Sequence, residues 1–153
     1  MTNSDIIRRV RYLFDFNDLK MIALFKLADH EVEKTQVENW LRKDEDPDLV
    51  EISDKELAIF LNGLIIEKRG KRDGPIPEAE DPLSNNMILR KLKIALDLKT
   101  DDILAIFDLI DKGISKHELS AFFRNPSHKS YRPCMDQYLR SFFNGLQTKY
   151  KGT

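Results

Sequence analysis

The sequence predicts an all-α protein made of two tandem homologous four-helix lobes that are related by internal duplication. The first observation is a repeat: Phe60–Leu64, FLNGL, returns as FFNGL at an offset of 82 residues, which brings Gly63 to Gly145. The register holds without a gap from Asn3 to Leu64. The second observation is that apolar residues recur at the spacing of amphipathic helices in both copies. Because the period exceeds the usual solenoid range, we expect two lobes and not a repeat array.

The domain boundaries follow from the repeat. We assign residues 3–66 to the first helical repeat and residues 85–148 to the second. Residues 67–84 are interpreted as a linker, because three prolines stand among acidic residues there and such a composition favours an extended chain. We expect the two repeats to adopt the same fold.

The first helix of each repeat is amphipathic and carries a basic face. In the first copy its apolar stripe comprises Ile6, Val10, Leu13 and Phe14. Arg8 and Arg11 lie opposite this stripe and recur as Arg90 and Lys93. These four residues are a candidate binding face that would contact phosphates in duplicate. The competing interpretation, which we favour, is a solvated surface, because charge runs usually only solvate a fold.

The second helix begins near Asp18 and Thr100, which are both competent N-caps. Apolar residues surround it on most sides, and this predicts a buried central helix. It ends at Asp29 and Asp111, where we expect local turn hydrogen bonds and no catalytic role.

The third helix has a capping box at Ser115–Glu118, and the short turn before it permits a helix-turn-helix arrangement. In the first copy the residues that could then read bases and phosphates are Gln36, Asn39, Arg42 and Lys43. The signal is weak, because many small helical proteins contain such a pair, and ordinary packing is favoured.

The loops after the third helix carry opposite charge. Residues 44–51 contain five acidic residues, whereas residues 124–132 are basic. Opposite signs at equivalent positions allow an electrostatic contact between repeats or between molecules placed head to tail. The alternative is two solvated loops that have diverged.

The fourth helix begins with a capping box at Ser53–Glu56. Gly63 and Gly145 lie off its buried stripe, although a glycine inside a helix costs about 1 kcal/mol relative to alanine. Their recurrence predicts a close helix contact that leaves no room for a Cβ atom. Together with Asn62 and Asn144, they are a candidate inter-repeat or ligand seam.

The sequence contains no recognisable motif for catalysis, cofactor binding or metal binding. The sequence has no Gly-rich phosphate loop, zinc-ligand spacing or nucleophile elbow, so we predict no catalytic, cofactor-binding or metal-binding residues and no cofactor. Cys134 aligns with Ile52 and is expected to be a buried small hydrophobe. The net charge of −1, the lack of a long apolar run and the lack of a signal peptide favour a cytoplasmic protein without a membrane partner.

The chain resembles the YehS-type family, a bacterial group of duplicated small helical domains of unknown function. The segments that carry the resemblance are residues 57–65, Trp40–Lys43, residues 85–92 and residues 119–124. It covers nearly the whole chain and implies a bacterial cytoplasmic protein. It supplies no activity and no site residues.

The favoured interpretation is therefore a non-enzymatic cytoplasmic binding or adaptor protein with an unknown protein partner. The first alternative is a nucleic-acid-binding protein that uses the basic faces or the helix-turn-helix-like pair. The second is a small-molecule enzyme whose site assembles only in space. Homo-oligomerisation is left open.

Overall fold

The computed structural model describes residues 1–153 and contains eight α-helices and no strand. The predicted all-α class is confirmed. The helices are α1 (Asn3–Phe14), α2 (Asp18–Leu27), α3 (Lys34–Trp40), α4 (Asp54–Arg69), α5 (Asn85–Ala95), α6 (Thr100–Asp108), α7 (Lys116–Phe122) and α8 (Asp136–Lys151). Every helix of the second set begins 82 residues after its counterpart in the first set. None of the eight combines the length and the apolar composition that crossing a membrane requires.

The chain divides into two compact units, Met1–Leu83 (unit 1) and Ser84–Thr153 (unit 2). Unit 1 contains α1 to α4 and unit 2 contains α5 to α8. In unit 1, α2 packs against α3 and α4, and α1 packs against α4. In unit 2, α6 packs against α7 and α8, and α5 packs against α8. The two units therefore repeat the same helix contacts.

Aromatic side chains fill the centre of each unit. In unit 1 the Phe25 ring lies 5.3 Å from Trp40 and 5.4 Å from Phe60, measured between ring centroids. The equivalent pair in unit 2, Phe107 and Phe142, has its centroids 6.0 Å apart. Rings at such distances stabilise a core beyond the apolar area that they bury.

The recurring glycines lie where α4 crosses α2 and where α8 crosses α6. A Cβ atom built on Gly63 would lie 2.7 Å from the carbonyl carbon of Leu24 and closer still to its oxygen. A Cβ atom on Gly145 would lie 2.5 Å from Cγ2 of Ile106. The predicted close helix contacts are confirmed, and each is made with the second helix of the same unit.

The helix starts agree with their sequence signals to within one residue. Ser53 and Ser115 each form the predicted capping box, so those two predictions are confirmed. The N-caps of α2 and α6 are Asn17 and Lys99, one residue before the predicted positions. Asn17 takes this place because its side-chain oxygen accepts a hydrogen bond of 2.8 Å from the backbone of Lys20.

Four aspartates end helices in the left-handed conformation. Asp15 and its repeat partner Asp97 follow α1 and α5, with φ angles of 54° and 52°. Asp29 and Asp111 follow α2 and α6, with φ angles of 58° and 55°. A short polar side chain tolerates this backbone region better than most residues do. The recurrence of these aspartates therefore reflects chain reversal at helix ends.

The prediction that the second helix is buried on most sides is wrong. Met21, Leu24 and Phe25 are fully buried, but Leu19 is 72% exposed and Leu27 is 38% exposed. Within unit 1, α2 packs mainly against α3 and α4, and the remaining helix, α1, packs mainly against α4. The side of α2 that carries Leu19 and Leu27 is therefore left exposed.

The segment between the repeats is partly tied to unit 1. Residues 67–69, which we assigned to the linker, form the last turn of α4. Leu83 is buried, and its backbone amide donates a 2.9 Å hydrogen bond to the carboxylate of Asp54. Asn62 donates a hydrogen bond of 3.4 Å to the carbonyl of Pro77.

Candidate functional site

Arg8 ties α1 to the segment that follows α3. Its guanidinium donates to the carbonyl of Arg42 at 2.6 Å and to the carboxylates of Asp5 and Asp44 at 2.8 Å each. Partial burial acts to raise the pKa of Asp5, but hydrogen bonds from Thr2 and from Arg8 outweigh it and leave the pKa below its usual value. Arg8 is therefore a charge-compensated structural residue.

Arg11 holds the turn between α1 and α2. Its Nε donates to the carbonyl of Phe16 at 2.9 Å, and its Nη2 lies 3.1 Å from the carboxylate of Asp18. Both basic candidates of unit 1 thus already have carbonyl and carboxylate partners within the unit.

The equivalent residues of unit 2 have a different setting. Arg90 donates to the carbonyl of Phe123 at 2.7 Å, and its guanidinium lies 5.9 Å from the centre of the Phe123 ring. The ammonium of Lys93 lies 5.8 Å from the same ring. The acids that compensate Arg8 and Arg11 in unit 1 are replaced here by Met87, Thr100 and Pro126. In unit 2, Arg90 and Lys93 therefore lie over an aromatic ring, whereas Arg8 and Arg11 of unit 1 pair with carboxylates.

This difference extends over both units. Unit 1 has 13 Lys and Arg against 19 Asp and Glu, a formal charge of −6. Unit 2 has 12 Lys and Arg against 7 Asp and Glu, a formal charge of +5. The near-zero charge of the whole chain conceals two units of opposite sign. We call Arg90, Lys93, Arg124 and Arg132 the basic surface of unit 2.

The helix-turn-helix-like pair has a short second helix. Helix α3 ends at Trp40, so Arg42 and Lys43 lie beyond it and not on its exposed face. The side chain of Gln36 accepts a hydrogen bond from Glu33 as part of a capping box, and Asn39 accepts one from Arg42 at 3.0 Å. Three of the four predicted reading residues therefore make local contacts.

The four seam candidates do not share one setting. Gly63 and Gly145 are buried against α2 and α6 of their own units. Asn62 is buried, at 5% exposure, and contacts the segment that leaves α4, whereas Asn144 is exposed. The close approach that motivated the seam is thus supplied inside each unit.

The structure exposes a surface that the sequence interpretation missed. The outer face of α2 presents Leu19, Ile22, Ala23 and Leu27 at the i, i+3, i+4 and i+8 spacing of one helix side. The outer face of α6 presents Leu104, Ala105 and Leu109. We call these the α2 face and the α6 face. The sequence feature that could have revealed this surface is the apolar composition around the whole helix, but the same composition also predicts a buried helix.

One charged residue in each face distinguishes the two. Lys26 lies on the α2 face and is exposed, and its repeat partner on the α6 face is Asp108. At the start of the helices, Leu19 of the α2 face is replaced by Asp101. The α2 face is therefore apolar and basic, whereas the α6 face is apolar and acidic.

Each unit also contains an open cleft. A cleft of about 460 Å³ in unit 1 is lined by Arg8, Arg11, Tyr12, Phe16 and Leu41, among others. A cleft of about 440 Å³ in unit 2 is lined by residues that include Asp111, Tyr138 and Ser141. These two clefts are the candidate positions for a small-molecule site. No group of three or more His, Cys, Asp or Glu side chains is arranged to hold a metal ion.

Cys134 lies in the core, as its alignment with Ile52 predicted. It is 4% exposed and unpaired with any other cysteine. Burial, assisted by the charge of Asp136, raises the pKa of its thiol to about 12. The thiol is therefore neutral at physiological pH and is a poor nucleophile.

Comparisons with known proteins identify relatives but no activity. The chain is 42% identical over 150 residues to the uncharacterised protein YehS of Escherichia coli strain K12, a match that covers 97% of this chain and 96% of the relative. No solved structure matches it. The family described as "Protein of unknown function (DUF1456)" matches twice, at residues 3–70 and at residues 85–152. The 42% identity confirms the resemblance to the YehS-type family, and the two matches confirm the internal duplication. The chain belongs to the DUF1456 family.

Proposed function

We propose that this protein is a non-enzymatic, cytoplasmic binding or adaptor protein that docks protein partners on the α2 and α6 faces. The observation that supports this proposal is the exposure of large apolar side chains at equivalent positions of the two units. Leu27 and Leu109 are 38% and 50% exposed, although both copies retain leucine there. Contiguous exposed apolar residues mark interaction surfaces, and anchors at helical spacing suit a helix or groove on a partner.

Two acidic side chains of unit 1 accept hydrogen bonds from residues that are distant in sequence, and these contacts indicate a structural role for both. In unit 1 the Asp54 carboxylate accepts hydrogen bonds from the side chain of Asn3 and from the backbone of Leu83. The Glu51 carboxylate accepts from both the backbone and the hydroxyl of Ser4. These carboxylates hold helix starts and loops together, which favours a binding scaffold over acid–base chemistry.

Site-specific photo-crosslinking in bacterial cells tests the proposal. A photoreactive amino acid placed at Leu27 or at Leu109 is expected to form crosslinks to protein. The matched control is Met135, which is 60% exposed but lies outside both faces. The crosslinks from Leu27 should disappear when Ala23 is replaced by aspartate. Crosslinks that are absent at both faces, or equally abundant at Met135, would overturn the proposal.

Nucleic-acid binding is a second candidate, and the charge difference between the units favours it. Arg90 and Lys93 lie over an aromatic ring in a unit of charge +5, next to a basic loop at residues 124–132. A basic surface attracts phosphates and releases counterions on binding, so affinity falls with salt. This candidate uses unit 2 alone, because Arg8 and Arg11 are occupied by carboxylates.

Fluorescence anisotropy with short single- and double-stranded DNA and RNA tests this second candidate. Binding at low salt should weaken in Arg90→Gln/Lys93→Gln, and the salt slope should fall by about two, one for each charge removed. The matched control is Lys34→Gln/Lys55→Gln, which removes two exposed charges from unit 1. Equal effects of the two double variants, or no binding at low salt, would eliminate the candidate.

A further inference from the structure

We infer that a second copy of this chain is a partner of these faces, and that the α2 face of one copy packs on the α6 face of the other. The inference rests on the proposed function, because it assigns an occupant to the same two faces. Both faces are exposed and apolar, so an apolar surface on the partner would bury each of them.

Charge complementarity identifies the pairing. Lys26 lies among the apolar residues of the α2 face, and Asp101 and Asp108 lie among those of the α6 face. Pairing unlike faces brings an ammonium group near carboxylates. Pairing like faces would bring Lys26 near Lys26 of the other copy, or Asp108 near its own counterpart. Like-charge juxtaposition is costly at an interface, so complementary charges select the partner more than they add affinity.

The duplication provides a way for the assembly to close. Each chain has one α2 face and one α6 face, and we include in the inference that two copies form the α2–α6 contact twice about a two-fold axis. An assembly closed in this way is a dimer with a self-complementary interface. The apolar residues of each face supply the buried area, and Lys26 and Asp108 fix which helix meets which.

Sedimentation velocity of the full chain tests this inference with a charge-swap design. Wild-type protein is expected to sediment as a dimer at micromolar concentration. Lys26→Asp places aspartates at both position 26 and position 108, and Asp108→Lys places lysines at both, so each variant alone should dimerise at least tenfold more weakly. An equimolar mixture of the two variants should recover the dimer, because every contact then joins unlike charges.

Controls separate this effect from unfolding and from net charge. Lys34→Asp makes the same charge change as Lys26→Asp at an exposed position on α3, outside the faces, and should leave the dimer unchanged. Circular dichroism should show that all variants keep their helix content. Leu27→Ser removes an apolar contact without changing the charge of the face, and it should also weaken the dimer.

Three results would overturn the inference: a monomeric wild-type protein, a dimer that both swaps leave intact, and a mixture that stays monomeric. They are distinguishable from a failure of the proposed function. If the chain is a monomer but Leu27 and Leu109 still crosslink to other proteins, the faces bind heterologous partners and only the self-association is wrong. If they crosslink to no protein, both conclusions fail.

Discussion

Gly63 and Gly145 show how a single missing carbon positions two helices. Each glycine faces the backbone of the neighbouring helix, which cannot move aside as a flexible side chain would. We therefore expect Gly63→Ala and Gly145→Ala to lower the free energy of unfolding by about 1–3 kcal/mol through overpacking. This sign opposes helix propensity, which alone would favour alanine by about 1 kcal/mol. Chemical denaturation followed by circular dichroism measures the difference.

A third glycine provides the control for this prediction. Gly113 lies in the turn before α7, and the nearest atom to a Cβ built there is 3.7 Å away. Gly113→Ala should therefore change the free energy of unfolding by less than about 0.5 kcal/mol. If all three variants unfolded alike, the close contact at α4 and α8 would not determine stability.

The left-handed aspartates support a second prediction about single residues. At Asp29, with a φ of 58°, glycine avoids the Cβ clash and valine makes it worse. Asp29→Val should be about 1–2 kcal/mol less stable than Asp29→Gly. The same order is expected at Asp111, with a φ of 55°. Thermal melts of the four variants test it, and equal melting temperatures for the valine and glycine variants would contradict it.

Cys134 gives a third prediction, which concerns reactivity. With a thiol pKa of about 12, only about one molecule in ten thousand carries a thiolate at pH 8. Native protein should react with a disulfide reagent such as DTNB far more slowly than urea-unfolded protein does. The colour released over time measures both rates. Fast reaction of the native protein would show that the thiol is accessible and ionised.

For individual helices, the sequence predicted where a helix begins more accurately than it predicted which of its sides are buried. Capping boxes at Ser53 and Ser115 depend on residues three apart, so local spacing was sufficient to locate them. The burial of α2 depends on how many other helices pack around it, and periodicity contains no information on that number. An apolar helix in a four-helix unit has the same composition whether its outer face is covered or exposed.

The repeated asparagine at the start of α1 and α5 joins the first and fourth helices of each unit. Asn3 donates to the carbonyl of Ile52 at 3.1 Å and to Asp54 at 2.7 Å. Asn85 repeats this with Cys134 at 2.9 Å and Asp136 at 2.7 Å. The sequence shows that the same residue stands at positions 3 and 85 of the repeat, but only the structure shows which groups these asparagines contact.

Removing this link should destabilise each unit separately. Asn3→Ala leaves the Ile52 carbonyl without this donor, and the expected cost is about 1–3 kcal/mol. Asn3→Asp should cost more, because it places a second carboxylate beside Asp54. Urea denaturation of both variants provides the measurement, with Asn17→Asp as a control because either residue suits an N-cap. A tolerated Asn3→Asp would contradict the role assigned to this contact.

For the whole molecule, duplication made the fold predictable and concealed the differences between the two units. Core positions recur because both units need the same packing, so one register was enough to predict eight helices. A repeat reports only what the two copies share. The environments of Arg8 and Arg90 differ because Asp5 and Asp44 are replaced by Met87 and Pro126. Residues 5 and 87 lie one helix turn before these arginines, whereas residues 44 and 126 are distant in sequence. The opposite charges of the two units likewise cancel in the composition of the chain.

The last prediction uses this difference between equivalent arginines. Arg8 bridges two carboxylates and a carbonyl in unit 1, whereas Arg90 bonds one carbonyl in unit 2. Arg8→Gln should therefore destabilise its unit by about 1–2 kcal/mol, with the ion pairs discounted for their partial exposure. Arg90→Gln should cost less.

Because local stability differs between parts of a protein, hydrogen exchange can measure each unit by itself. Faster exchange is expected in α1 and in residues 42–46 for Arg8→Gln, with unit 2 unchanged. Equal losses for the two variants would mean that the carboxylates contribute nothing to holding Arg8 in place.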